Sequence, residues 1–450
     1  MPTLPLPLPP SYCDVLVVGA GPAGSACAQA LARAGLDVVL VDQHAFPRDK
    51  VCGDGLIPDA HHALDKLGVL AEVMAVAQRA QHVGCIGPRG GRVDVPGRLA
   101  VLPRKQLDDI LKRAAERAGA RFFAPWRFEA PLLRGDGEAA VVVGARLKSA
   151  TSGLHEIHAR WVVLATGAVP KALMAAGMCQ RHTPSGIALR GYVHHPDSVG
   201  KIRALEVVWH KQLRKGYGWI FPCPDGVFNI GVGLAHSHAK QTDGRSTMAD
   251  VNLREMLTTF ARIHAPAGAL MAGGKVLGDF KGAPLRCSLE GVRYSRPGLL
   301  VTGEAAGSTY AFTGEGIGKA METGLLAAQA VLGGSASGSA SGSASGSGSS
   351  AAPSNRAAAG AAADAAACAD ACADVCTAYN AALLALKPRF ELYERANRVN
   401  ELPWLADLLI WRARHSPRIL RRMEGVLDET GNPGNLVSLR GLTRLFLPLR

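Results

Sequence analysis

The stretch VLVVGAGPAGSACAQALARAGLDVVLVD, residues 15–42, decides the fold. Val15 to Val18 are β-formers that run into Gly19-Ala-Gly21-Pro-Ala-Gly24. An Ala-rich segment follows, and a second apolar run, Val38 to Val41, stops at Asp42. This pattern predicts strand, tight turn, helix, strand. Gly19 permits the turn, Gly21 lets the backbone approach a pyrophosphate, and Gly24 lets helix and strand pack closely. Free N–H groups and the helix dipole then favour the phosphates. Asp42 lies 18 residues past Gly24, where an acid can accept from adenosine ribose hydroxyls. The expectation is an adenine dinucleotide.

Moving outward, 450 residues suffice for two or three domains. Lys and Arg exceed Asp and Glu to give a net charge of +13. Such a surplus favours anionic partners or simply solubility, and no nucleic-acid motif accompanies it. The start, MPTLPLPLPPSYCD, has five prolines and no basic region before an apolar core, so residues 1–11 read as a flexible tail and not as a signal peptide. No apolar run reaches the ~18 residues of a spanning helix. Ten scattered cysteines without a scaffold pattern imply reduced thiols and a cytoplasmic location.

Further along, residues 58–70 read as helix, and 82–102 as short strands around a turn at 88–91. In LPRKQLDDILKRAAERAGARF, Leu107, Ile110, Leu111 and Ala114 recur at helical spacing, with Arg104 at the helix entry. Residues 139–164 are strand-rich and run into Thr166-Gly167, 185–235 are β-rich, and 249–264 are helical. Residues 333–357, with SASG in tandem, read as a low-complexity flexible linker, and 358–397 as helix. Cys368, Cys372 and Cys376, four apart, share a helical face and read as small packing residues. Neither they nor the pairs His61-His62 and His194-His195 form a convincing ligand set, so no metal is expected.

Three distant segments narrow the dinucleotide. Thr302-Gly-Glu304-Ala-Ala-Gly307 follows an apolar strand, and Gly314-Glu-Gly316-Ile317 opens a helix whose N–H groups can face an anionic ring. A nicotinamide dehydrogenase has no need of these, whereas a flavin has ribityl hydroxyls and a ring that becomes negative on reduction. The glycine turn, Arg104-x-x-Leu-Asp, Ala165-Thr166-Gly167 and Gly303-Glu304, in that order, resemble the FAD enzymes of the p-hydroxybenzoate hydroxylase fold. Glu304 stands where that family usually has Asp. Tyr217-Gly-Trp219-Ile-Phe221-Pro222 followed by Gly231-Val-Gly233 is similar to the YxWxFP…GxG signature of the geranylgeranyl reductase family. Tyr217, Trp219 and Phe221 alternate onto one strand face, an apolar wall suited to a greasy substrate. The Lys50-Val-Cys52-Gly53-Asp54-Gly55 loop also resembles that family's loop near the flavin, with Asp54 in place of a glycine.

The resemblance implies an α/β (α+β overall) chain: a Rossmann-type FAD-binding domain (12–80, 100–175 and 295–332), an inserted β-sheet substrate domain (81–99 and 176–294) and a helical C-terminal region (358–450). It implies FAD contacts at Gly19, Gly21, Ala23, Gly24, Asp42, Cys52, Gly53, Gly55, Arg104, Glu304, Gly314, Gly316 and Ile317. Cys52, Tyr217, Trp219 and Phe221 are the catalytic-side candidates. The implied activity is reduction of C=C bonds in a lipophilic, isoprenoid or polyene-like substrate by hydride from reduced flavin. NAD(P)H or another donor would dock transiently. The alternative is an FAD monooxygenase or halogenase working through a flavin hydroperoxide, although Tyr217 and Phe221 replace the Trp and Ile of the halogenase WxWxIP. The Arg-rich, apolar stretch after Pro403 suits either a lid or peripheral contact with a membrane surface.

Overall fold

The computed structural model describes residues 7–137, 140–213, 215–235, 251–340 and 353–434. The quoted stretch forms β1 (Tyr12–Val18), α1 (Pro22–Arg33) and β2 (Val38–Val41). There follow β3 (Gly55–Leu56), α2 (Pro58–Lys66), α3 (Leu70–Val76), β4 (Gln78–Ile86), β5 (Arg92–Val101), α4 (Arg104–Arg117), β6 (Arg121–Phe123), β7 (Arg127–Arg134), β8 (Val141–Ser149) and β9 (Gly153–Leu164). Next come α5 (Lys171–Ala175), β10 (Gly186–His194), β11 (Leu205–Trp209), β12 (Tyr217–Pro222), β13 (Val227–Ala235), α6 (Leu253–Ile263), α7 (Ala265–Gly273), β14 (Lys275–Leu285), β15 (Ser295–Arg296) and β16 (Leu299–Val301). The last elements are α8 (Ile317–Ala340), α9 (Pro353–Ala396), α10 (Arg398–Glu401), α11 (Trp404–Arg414) and α12 (Pro417–Leu427).

Two eight-stranded sheets result. The first has the path β15-β16-β9-β1-β2-β6, with β7 and β8 branching from β9. Its centre is parallel: β1 pairs with β2 and β9, and β9 with β16. Period-two alternation sends Val15 and Val17 toward α1, α8 and α9, and Leu16 and Val18 toward the opposite core with Trp126 and Phe128. Cys372 is buried in the α1–α8–α9 core and Cys376 packs on it, as a small-residue face would.

The second sheet has the order β14-β10-β13-β12-β11-β4-β5-β3. It is antiparallel except at β4–β11. One face, through Ile220, Ile230 and Val232, packs on α6 and α7. Asn252 starts α6 by accepting from the Arg254 N–H at 3.0 Å. The other face carries Cys85, Val93, Val95 and Trp209 against Leu405, Leu409 and Ile410 of α11. β3 pairs with β5, so the Cys52–Gly55 loop passes from the first sheet into the second.

The low-complexity expectation needs correction at its start. Helix α8 continues through Gly333 to Ala340, and α9 begins at Pro353 rather than at 358. A helix already nucleated against α1 extends cheaply, because each further residue adds a hydrogen bond without repeating the nucleation cost. Residues 341–352, the rest of the expected linker, lie outside the described residues, as do 1–6 of the expected tail.

Candidate active site

The glycine turn is shaped by what a side chain there would strike. Gly19 has φ +104°, and a Cβ on it would lie 2.4 Å from the Ala165 carbonyl oxygen. A Cβ on Gly24 would lie 1.8 Å from the Gly19 carbonyl oxygen. These two close the turn, α1 and Ala165-Thr166-Gly167 onto each other. Gly21 differs: its Cβ would meet only guanidinium tips, Arg48 at 3.7 Å and Arg104 at 3.8 Å. Space in front of that backbone, ringed by two cations, fits a pyrophosphate. Ala23 lies under Gly303, whose Cβ would come 2.6 Å from the Ala23 Cβ.

The acids hold this cradle in place. Asp42 accepts from the Ala20 N–H at 2.9 Å and the His44 N–H at 2.9 Å, fastening the end of β2 to the turn. Asp108, fully buried, accepts from Arg104 at 2.6 and 2.7 Å and from Arg48 at 2.9 Å. Both guanidiniums are thus fixed before any anion arrives. Arg48 and Asp108 had no assigned role in the sequence reading. The i,i+4 spacing of Arg104 and Asp108 was the available signal; nothing local pointed to Arg48.

Across the cavity, Glu304 sits on the short turn Gly303–Ala306 and accepts from Lys50 at 3.0 Å. A Cβ on Gly167 would be 4.0 Å from its carboxylate. The neighbouring Thr166 hydroxyl is buried without a hydrogen-bond partner, as a group awaiting a ligand would be. Thr166, Gly167, Glu304 and Lys50 all line the cavity. Gly314, at φ +69°, leaves room for the Tyr217 hydroxyl, 2.7 Å from where its Cβ would be. That hydroxyl donates to the Thr313 carbonyl at 3.1 Å. Glu315 accepts from the Gly318 N–H at 3.0 Å, capping the start of α8 beside Gly316 and Ile317. Burial raises the Glu315 carboxyl well above the usual carboxylate range.

The Cys52–Gly55 loop is clamped by the second sheet. Arg190 donates to the Lys50 carbonyl at 2.9 Å and the Cys52 carbonyl at 3.3 Å, and pairs with Asp49. Asn229 donates to the Cys52 carbonyl at 2.8 Å and to Asp54 at 2.7 Å. Tyr192 also donates to Asp54, which is fully buried and adopts φ +65°. Asp54 thus turns its carboxylate into the sheet, and burial pushes it up to about 6 despite these donors. Burial likewise raises the Cys52 thiol, which keeps it protonated near neutrality and weakens it as a nucleophile.

Tyr217, Trp219 and Phe221 form the wall, with neighbouring ring centroids 6.2 and 6.5 Å apart. Trp209, opposite Tyr217 on β11, extends it at 6.4 Å. The Trp219 indole donates to Asn229 at 2.9 Å. A Cβ on Gly231 would lie 2.3 Å from that ring, and one on Gly233 would be 3.4 Å away. The paired glycines of the motif therefore make room for the indole. On the other side, Cβ atoms on Gly53 and Gly55 would meet Phe221 at 3.2 and 3.3 Å.

Gly21, Arg48, Arg104, Thr166, Glu304 and the aromatic wall line one cavity of about 660 Å³. It runs from Gly21, past Glu304 and Trp219, to an apolar end roofed by Val399, Leu409, Ile410, Met423 and Leu427. A lid after Pro403 was one of the two sequence readings of this stretch, but the individual roof residues were not named there, because the apolar periodicity of α11 and α12 does not say what lies beneath. Among the described residues no group of three His, Cys, Asp or Glu is placed to hold a metal.

Comparisons with known proteins bear on the family and the fold. An FAD binding domain family model matches residues 12–206. A menaquinone reductase of Mycolicibacterium smegmatis is 33% identical over 342 residues, covering 72% of this chain and 77% of that protein. Digeranylgeranylglycerophospholipid reductase 1 of Methanopyrus kandleri is 27% identical over 321 residues, 71% of this chain and 80% of that one. The crystal structure of a geranylgeranyl bacteriochlorophyll reductase-like protein from Thermoplasma acidophilum superposes with TM-score 0.65 at 20% identity, covering 97% and 96% of the two chains. A triple mutant of the flavin-dependent brominase Bmp2 shares the fold, with TM-score 0.69 at 18% identity over 96% and 100%.

Proposed function

The chain belongs to the geranylgeranyl reductase family of FAD-dependent oxidoreductases, and from that premise we propose that it saturates C=C bonds of a lipophilic, isoprenoid or polyene-like substrate. The observation that carries the reading is the unbroken cavity from the Gly21 cradle to the apolar roof. The curated relatives are named for a menaquinone and a digeranylgeranyl glycerophospholipid, both lipophilic.

The residues present fit FAD. Gly19, Gly21, Ala23 and Gly24 take the pyrophosphate with Arg48 and Arg104, and Asp42 takes the adenosine ribose. Glu304, Lys50 and Thr166 take the ribityl chain. Gly314, Gly316 and Ile317, with the backbone of Cys52, Gly53 and Gly55, border the ring. When bound and reduced, FAD supplies the hydride. Tyr217, Trp219 and Phe221 exclude water and press an apolar chain flat. Glu315, buried at the cavity wall with its carboxyl raised by burial to about 7, would be the group that delivers the balancing proton. Cys52 packs and orients the loop. The reducing equivalents would come from NAD(P)H or another donor that docks transiently.

The test is anaerobic. Reduced holoenzyme is mixed with polyprenyl lipids, and products are weighed for added hydrogen pairs. Turnover seen only when O₂ is admitted would sink the reductase reading in favour of oxygen-dependent chemistry.

A further inference from the structure

Helix α11 carries apolar side chains on two sides. Its inner face, Leu405, Ala406, Leu409, Ile410 and Ala413, is buried against the second sheet and the cavity. Its outer face carries Trp404 and Trp411, 55% and 52% exposed, while Leu408 between them is half-buried against the core. The spacing of seven residues puts the two tryptophans on one outward side of the helix. Asp407, Arg412 and Arg414 lie on the same helix, and among the described residues the two tryptophans are left exposed.

We propose that the α11–α12 face is a docking surface for an anionic lipid bilayer, and that it sets the apolar end of the cavity against the membrane. Three observations favour a bilayer over other occupants. Tryptophan is amphipathic and settles at the apolar–water boundary. Arg414 on α11 and Arg421 and Arg422 on α12, which packs against α11, are exposed. Residues 404–427 hold five arginines against two acids, Asp407 and Glu424, and Asp407 is engaged by the Arg89 side chain and N–H. The same two helices supply Leu409, Ile410, Met423 and Leu427 to the cavity roof, so a lipid has a short route inward.

A second copy of the chain fits less well. A two-fold contact would bring the same arginines face to face. Residues 435–450 fit poorly for the same reason: they contain Arg440, Arg444 and Arg450 and no acid. No described helix is long and apolar enough to cross a membrane. The contact is therefore interfacial, with the arginines at the headgroups and the tryptophans at the acyl boundary.

The purpose of this surface rests on the lipophilic-substrate reading above, but its detection does not. Full-chain holoenzyme is sedimented with vesicles of phosphatidylcholine alone or mixed with phosphatidylglycerol, without substrate. The expected result is binding to the anionic vesicles, weakened by salt, with a blue shift of tryptophan emission. Trp404→Ser/Trp411→Ser is expected to lower the partition coefficient about tenfold or more and to abolish the shift. Arg421→Glu/Arg422→Glu is expected to lose about tenfold or more on anionic vesicles. Both pairs are exposed, and unchanged flavin absorbance and thermal unfolding would show that each variant is folded. Equal binding to both vesicle types overturns the proposal, as does a Trp double variant that binds like wild type. Conversion of a dimer to a monomer by the Trp substitutions, seen by gel filtration, would assign this face to self-association instead. Tryptophans inaccessible to acrylamide in wild type, without vesicle binding, would assign it to the chain's own covering. Vesicle binding without alkene reduction would overturn the proposed reaction and leave the surface standing.

Discussion

Asp54 shows how one side chain can tie together parts of the chain that lie far apart in sequence. Its left-handed backbone would suit glycine, yet its carboxylate collects Tyr192, Asn229 and the Arg104 N–H. Asn229 in turn fixes the Trp219 indole. The folded carboxyl titrates near 6 rather than at the usual 3.8 because it is buried. The folded state therefore holds a proton that the unfolded chain has already lost between those values, and stability falls as pH rises from about 4 to about 6. Asp54→Asn removes that slope. The stability difference between wild type and variant should change by about 2–3 kcal/mol across the window, read from urea unfolding at a series of pH values. A difference that stays flat would show that Asp54 does not titrate there. Glu315→Gln tests the proposed acid. Gln keeps the acceptor for the Gly318 N–H, so FAD should be retained. The turnover number should fall about a hundredfold or more, and the pH limb set by the carboxyl should vanish. Normal turnover with an unchanged pH profile would remove Glu315 from the reaction.

At the scale of elements, α8 and the chain end after α12 meet around a buried cation. Lys319 contacts Glu322 at 2.6 Å, Glu429 at 2.8 Å and Asp59 at 3.8 Å. Arg389 reaches Glu429 from α9 at 2.8 Å, but it is half-exposed. Losing the cation and losing one acid are therefore unequal. Lys319→Met leaves Asp59 and Glu429 buried without it and should cost about 3–5 kcal/mol. Glu429→Gln leaves Lys319 with Glu322 and Asp59 and relieves crowding among the acids, so its cost should be about 1 kcal/mol or less. Denaturant unfolding of the two variants reads the ranking, and equal losses would refute this account. None of this was legible in sequence, because Asp59, Lys319 and Glu429 share no local pattern. Local patterns did reveal β1–α1–β2, the short strands β4 and β5 around their turn, and the alternating strand β12, whose apolar periods and turn glycines lie within a few residues of each other. The end of α8 was misplaced because Gly and Ser signal coil by composition, while the packed helix behind them sets the local outcome.

For the whole molecule, the dinucleotide cradle draws on Gly21 from the start of the chain, Arg104 and Asp108 from α4, Thr166 after β9, and Glu304 before α8. Motif order made most of these segments visible in sequence. Their convergence, with Arg48 and Lys50 arriving from the loop clamped by Arg190, depends on pairings between strands more than a hundred residues apart. FAD bound across such a cradle would add a further link between elements that the chain already joins through sheet pairing, helix packing and the Arg48–Asp108 and Lys50–Glu304 pairs. It should therefore act as a stabiliser of the folded state and not merely as a passenger. A ligand that binds only the folded chain adds about 2.7 kcal/mol at a free concentration of a hundred times its dissociation constant. The midpoint of thermal unfolding should accordingly climb by a few degrees as FAD is added to stripped protein, and keep climbing with the logarithm of its concentration. In Gly21→Val the new side chain points toward the Arg48 and Arg104 tips and fills the space the pyrophosphate needs. Its backbone there is extended, at φ −77°, so the fold tolerates valine. The variant should unfold near the midpoint of the stripped wild type, retain no yellow colour on gel filtration, and show no rise with added FAD. A Gly21→Val protein that still climbs with FAD would mean that the pyrophosphate lies elsewhere, and the cradle assignment would fall with it.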